Sequence, residues 1–232
     1  MQDKTNSPIF ITGIERSGSS IVAKIMHACG AFIGDVTSMQ ENIEIKKLVE
    51  ENYYPKSVNC KYIGQYPLPD MSNLPIFMNW KQQVNSIVSQ QGYTEGLWMY
   101  KSSKLCQTWQ LWNYAYPNAK WIIVRRRTGD IIHSCLSTAY MAAFKNGSIQ
   151  KAVGATNEKE GWLWWVHEHE KLFVEMIEAG LNCKVIWPER MVTGDYQQLY
   201  ETLDWLGLPW KSEILIMVEP LLYKSRQKER SK

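Results

Sequence analysis

Two short stretches carry residue types suited to gripping an anion. The first is Gly13-Ile14-Glu15-Arg16-Ser17-Gly18-Ser19-Ser20. Its glycines have the G-x4-G spacing of a loop whose main-chain N–H groups face a phosphate at the start of a helix. In a nucleotide triphosphatase the second glycine is followed by Lys and then Ser or Thr. Here Ser19 fills the Lys position, and a cation stands three residues earlier as Arg16. The competing use is a tight strand-to-helix turn with a serine N-cap. The second stretch is Arg125-Arg126-Arg127-Thr128-Gly129-Asp130. Three adjacent guanidinium groups repel one another unless an anion lies close, and the arginine fork matches phosphate oxygens in pairs. A solvated basic turn is the alternative. Ser134, further along the same helix, offers a hydroxyl to the same anion.

Both stretches need scaffolding, and the apolar pattern supplies it. Pro8-Ile9-Phe10-Ile11-Thr12 reads as a buried strand halted at Gly13. Ile21, Val22, Ile25, Met26 and Cys29 follow at helical spacing over 17–29, with Gly30 as a stop. A second amphipathic helix is expected over 41–52, and others over 77–91 and 105–114. Strands are expected at 97–100, 121–124 and 184–187. The triplet should open a helix reaching about residue 144, followed by a polar loop at 145–157. Long helices are expected over 158–179 and 196–206. Residues 54–76 read as an irregular segment on the acceptor side, and 224–232 as a frayed tail. Strands alternating with helices predict an α/β fold, a parallel central sheet flanked by helices on both faces. Such sheets bind ligands beyond the carboxyl ends of their strands, where both anion stretches fall.

The chain of 232 residues reads as one domain over 1–232. No apolar run approaches the roughly 18–20 residues of a membrane helix, and the polar N-terminus does not resemble a signal peptide, so a cytoplasmic protein with no membrane partner is expected. A net charge of +3, from 26 basic and 23 acidic residues, is too small for general nucleic-acid binding. The five cysteines show no C-x-x-C and read as buried thiols. His167-Glu168-His169-Glu170 lacks the H-E-x-x-H spacing of a metal site and reads as solvated or partly packed helix residues. The tryptophans read mainly as core.

The two anion stretches resemble the nucleotide-binding motifs of the sulfotransferase family, which uses 3′-phosphoadenosine 5′-phosphosulfate (PAPS). Arg16-Ser17-Gly18-Ser19-Ser20 is similar to the family's (K/R)-S-G-(T/S)-(T/S) segment after the first strand. Arg126, Asp130 and Ser134 fit its second motif in register, with Thr128-Gly129 where a proline is common. Tyr100-Lys101-Ser102-Ser103-Lys104-Leu105 resembles a K-x-P-R-like segment, Gln40-Glu41-Asn42 the acidic turn before the second helix, and Trp187-Pro188-Glu189-Arg190 with the later Leu-rich run a late family segment. The resemblance, closest to bacterial carbohydrate-type members, spans most of residues 9 to 210.

It implies a P-loop NTPase-like sulfotransferase fold and transfer of a sulfuryl group from PAPS to a hydroxyl or amine on a carbohydrate or small metabolite. Adenosine 3′,5′-bisphosphate would be the product. Arg16, Ser17, Gly18, Ser19 and Ser20 would hold the 5′-phosphosulfate, and Arg126 and Ser134 the 3′-phosphate. Arg16 and Lys101 would stabilise the bridging and leaving oxygens, without a required metal. Glu41 is the expected general base. Its alternative use is a helix N-terminal carboxylate favouring the macrodipole. Glu15 and Asp35 are alternative bases, although the side chain of Glu15 is expected to point away from the anion. His133 and His27 read as structural. Lys224 and Arg226 stand where the family places a basic C-terminal loop. The alternatives are a P-loop kinase or nucleotide triphosphatase, and a catalytically idle nucleotide-binding protein.

Overall fold

In a computed structural model, which describes residues 7–53 and 77–218, the expected apolar runs form β1 (Ile9–Gly13), β2 (Met99–Lys101), β3 (Lys120–Val124) and β4 (Cys183–Ile186). All three pairings are parallel, in the order β2-β1-β3-β4. Ile11 lies beside Lys101, Gly13 beside Val124, and Val124 beside Ile186. The carboxyl ends of the strands therefore finish together, and the turns that leave them share one edge.

The helices are α1 (Ser19–Ala28), α2 (Ile43–Tyr53), α3 (Trp80–Gln90), α4 (Trp109–Ala115), α5 (Thr128–Leu136), α6 (Gly147–Ala152), α7 (Glu158–Glu178), α8 (Pro188–Val192), α9 (Gln197–Leu206) and α10 (Glu213–Val218). Two 3-10 turns, Ser103–Gln107 and Ala143–Lys145, join them. Side chains alternate across a strand, so β1 sends Phe10 to one face and Ile9 and Ile11 to the other. In β3, Trp121 and Ile123 join Phe10, while Ile122 and Val124 join Ile9 and Ile11. Residues of α2, α3, α4, α5 and α7 cover the first face. Residues of α1, α9 and α10 cover the second. Both faces of the sheet are covered, which explains why β1 and β3 read as continuous apolar runs.

Trp98, Trp112, Tyr116 and Trp121 surround the Phe10 ring with centroids 4.9 to 6.0 Å away. Six tryptophans are buried, as the core reading of that residue type expects. At the face of α7, a Cβ on Gly161 would lie 2.4 Å from the Phe144 ring. Glycine is what allows the helix to pack so closely there.

The structure corrects the expected helix through residue 144. The helix α5 ends at Leu136, where Ser137 Oγ donates to the His133 carbonyl at 2.9 Å and Thr138 Oγ1 to that of Ser134 at 2.6 Å. Hydroxyls bonding back to helical carbonyls favour such an ending. The chain then turns and brings Tyr140 and Met141 to the sheet edge. The expected loop at 145–157 contains α6, capped by Asn146 Oδ1, which accepts from the Ser148 N–H at 2.9 Å. Residues 54–76 and the tail 224–232, with Cys60, Lys224 and Arg226, lie outside the described residues. No helix among the described residues is long and apolar enough to cross a membrane.

Candidate active site

The turn after β1 is tight. The Ser17 N–H donates to the Ile14 carbonyl at 3.0 Å, folding the chain back over Gly13. A Cβ on Gly13 would lie 2.6 Å from the Val124 carbonyl and 2.7 Å from Ser17 Oγ, so only glycine fits. Ser17 is fully buried, and its hydroxyl has no hydrogen-bond partner among the described residues. Arg16 and Gly18 have φ of +69° and +97°. The N-cap of α1 is Gly18, with no side-chain cap, which corrects the serine N-cap alternative. Among the described residues, the main-chain N–H groups of Gly18, Ser19 and Ser20 donate to no protein acceptor. An uncapped helix start with free N–H groups attracts an anion.

The three adjacent arginines go three ways. Glu170 binds Arg125 through Nε at 3.1 Å and through Nη2, and the guanidinium lies 5.0 Å from the Trp187 ring centre. Arg127, 68% exposed in its side chain, pairs with Glu189 at 3.3 Å. Carboxylates therefore relieve the outer pair without a ligand. Arg126 turns inward, 8% exposed, and its Nη1 donates to the Arg16 carbonyl at 3.0 Å. Arg16 in turn donates through Nε to Ser134 Oγ at 2.9 Å and through Nη1 to the Tyr140 hydroxyl at 2.7 Å. The two sequence motifs thus touch each other.

Lys101 closes β2 and is 5% exposed. Its Nζ donates to the Met39 carbonyl at 3.2 Å and to Glu41 Oε1 at 3.4 Å. Glu41 Oε2 pairs with Lys46 at 3.4 Å. The loop carrying Glu41 is tied down by Thr37 Oγ1, which accepts from the Met39 and Glu41 N–H groups, and by Ser20 Oγ, which donates to the Met39 carbonyl at 2.9 Å. Helix α2 starts at Ile43, two residues after Glu41, and the acid in its first turn is Glu44. The macrodipole use of Glu41 is therefore replaced by its pairing with Lys101.

A cavity of about 310 Å³ lies between these groups, lined by Arg16 to Ser20, Lys101, Glu41 and Arg126 among others. Ser134 is bonded to the Arg16 guanidinium and is not among the residues that line this cavity. Sequence reasoning missed Lys24, Met39, Tyr140 and Met141, which also line the cavity. The Ser137-Thr138 pair was the available signal for the last two. Asp35, His27 and His133 are exposed and do not line it, so Asp35 is not brought to the site. Glu15 and Ser103 also line the cavity, and the Glu15 carboxylate accepts from Ser103 Oγ at 2.8 Å and Trp165 Nε1 at 2.7 Å.

The His167-to-Glu170 run splits across α7. His169 is buried, with Nδ1 at 2.9 Å from the Trp165 carbonyl. Glu168 pairs with Lys171, and Glu170 with Arg125. The run is thus divided between solvated and packed residues, with His169 more deeply buried than the partly packed reading expects.

A family model described as Sulfotransferase family matches residues 8–212. A solved sulfotransferase from Alicyclobacillus acidocaldarius superposes with a TM-score of 0.57 at 14% identity, over 97% of this chain and 99% of that one. Sulfotransferase STF9 from Mycobacterium avium gives 0.56 at 10% identity, over 92% and 67%. At these identities the two solved structures establish a shared α/β fold. No match was found among curated proteins.

Proposed function

The chain belongs to the sulfotransferase family, and we propose that it transfers a sulfuryl group from PAPS to a hydroxyl or amine of a small-molecule or carbohydrate acceptor. One observation carries this: both anion motifs meet at one cavity, with a cation and a carboxylate, Lys101 and Glu41, also at its wall. The free N–H groups of Gly18, Ser19 and Ser20 suit the 5′-phosphosulfate. Arg126 and Ser134 suit the 3′-phosphate. Ser134 Oγ already accepts from Arg16 Nε, which leaves its O–H to donate to a phosphate oxygen.

The transfer breaks the bond between sulfur and the bridging oxygen of the donor and forms one between sulfur and the acceptor oxygen or nitrogen. Charge builds on the leaving phosphate, and the acceptor loses a proton. By analogy with phosphoryl transfer the transition state is loose, so positioning and charge stabilisation supply most of the rate. Lys101 and Arg16 are the cations for the leaving oxygens. Glu41, held 3.4 Å from Lys101 Nζ, receives the proton. Base and cation thus sit together, where proton loss and charge build-up coincide.

Calorimetry with adenosine 3′,5′-bisphosphate and with AMP tests the assignment. Tighter binding of the bisphosphate is expected. Equal affinities remove the 3′-phosphate site, and magnesium-dependent ATP turnover replaces this proposal with a kinase or triphosphatase.

A further inference from the structure

A carboxylate inside a loop built to hold an anion works against that loop unless something neutralises it. Glu15 stands directly before Arg16 at the cavity wall, and its two oxygens both have protein partners. Oε1 accepts from Ser103 Oγ and Oε2 from Trp165 Nε1. Lys104, 5% exposed, holds its ammonium 4.4 Å from the centre of the Trp165 ring. The His169 ring packs against the same Trp165 ring at a tilt of 60°, with centres 4.5 Å apart. Burial disfavours the charged carboxylate, but Lys104, His169 and the two hydrogen bonds outweigh it and hold the Glu15 pKa below its ordinary value. Glu15 is therefore an anion whose charge is spent on the scaffold.

The backbone shows what that anchoring holds in place. Arg16 sits at φ +69°, in the left-handed region that costs energy for any residue with a Cβ. Such a conformation persists only where the surroundings fix it on both sides. On one side Arg126 Nη1 binds the Arg16 carbonyl. On the other, the Glu15 side chain is clamped to the 3-10 turn after β2 and to α7. We propose that Glu15 is a positioning residue: its clamp to Ser103 and Trp165 fixes Arg16 in the left-handed backbone that exposes the N–H groups of Gly18 to Ser20 and aims the Arg16 guanidinium at Ser134. The clamp itself is independent of the ligand, whereas its effect on binding rests on the nucleotide reading of the site.

Hydrogen–deuterium exchange on the full, unliganded chain, followed by calorimetry with adenosine 3′,5′-bisphosphate, tests the clamp. Glu15→Ala and Trp165→Phe should each speed exchange of the Ser17 N–H, the loop amide bonded to the Ile14 carbonyl, roughly tenfold, the scale of one lost charged hydrogen bond. Exchange in β1 and β3 should stay unchanged. Bisphosphate affinity should fall by a similar factor. Glu15→Gln keeps the shape and can bond to both partners, so it should restore most of the loop protection. If Glu15→Ala does not fold, Trp165→Phe decides. Unchanged loop exchange, or a uniform rise across the sheet, overturns the clamp. If the wild-type chain binds no bisphosphate, the nucleotide reading falls, and the exchange data alone still decide the clamp.

Discussion

Arg126 Nη1 donates to the main-chain carbonyl of Arg16 at 3.0 Å, across 110 residues of sequence. The side chain of one anion motif is thereby bonded to the backbone of the other. Neither motif has its geometry alone, because the left-handed Arg16 is fixed partly by Arg126, and Arg126 is buried partly by the loop.

Arg126→Ala should weaken adenosine 3′,5′-bisphosphate binding by roughly 1.5–3 kcal/mol, the scale of a charged hydrogen bond. AMP should lose less, because only the contact to the Arg16 carbonyl is missing from its complex. Arg125→Ala and Arg127→Ala, whose partners are Glu170 and Glu189, should change the affinity by less than about 0.5 kcal/mol. Calorimetry on the three variants separates the middle arginine from its neighbours. Equal losses in all three would mean a diffuse basic surface.

Ser134→Ala removes both the acceptor for Arg16 Nε and the donor for the 3′-phosphate. The bisphosphate should bind about 1–2 kcal/mol more weakly, with AMP little affected. Loss of AMP affinity by the same amount would place Ser134 in service of Arg16 alone.

Glu41→Gln should lower kcat by about 10²–10⁴, the usual contribution of a positioned base. Bisphosphate affinity should be no weaker, because the change removes a negative charge beside Lys101. Single-turnover transfer to an accepted substrate provides the measurement. Unchanged kcat would reject Glu41 as base.

Stability should depend on pH through Lys104. Burial lowers its pKa from 10.5 to about 8, against the opposing pull of Glu15, Cys106 and Glu41, while His169 faces the same cluster. Between those two values the unfolded chain holds a proton that the folded chain has released, so stability rises with pH. Above pH 9 the thiols of Cys106 and Cys135, each pushed by burial from 9.0 to about 12, act in the opposite sense. The clean window is therefore pH 8 to 9. Urea midpoints should climb there for the wild type relative to Lys104→Met, and parallel curves would show that Lys104 titrates normally.

Much of the frame was legible in the residues. Ile9, Phe10 and Ile11 are all apolar because β1 is covered on both faces. Gly13 and Gly18 mark a turn with no room for a Cβ at the first and a left-handed backbone that strains one at the second. Arg16, Lys101, Arg126 and the motifs around them fall at strand ends, where a parallel sheet brings its turns together. Strand and helix periodicity is a local property, so these features needed no partner to be read. The short α6 and α8 were not legible, since five or six residues carry too little periodicity. The end of α5 turned on two hydroxyls that bond backward.

The sequence by itself determined that cations and a glycine-rich turn follow the strands of a parallel sheet, because spacing and hydrophobic period act over a few residues. The register with Asp130 and Ser134 had already singled out Arg126. Only the tertiary structure decided what takes up Arg125 and Arg127, that Glu41 meets Lys101, and that Glu15 is bonded to Ser103 and Trp165. Those outcomes depend on partners far away in the chain: Glu170 for Arg125, Lys101 for Glu41, and Trp165, 150 residues distant, for Glu15. Charge pairing falls steeply with distance in space and takes no account of separation along the chain, so it could be settled only once the fold had brought the partners together.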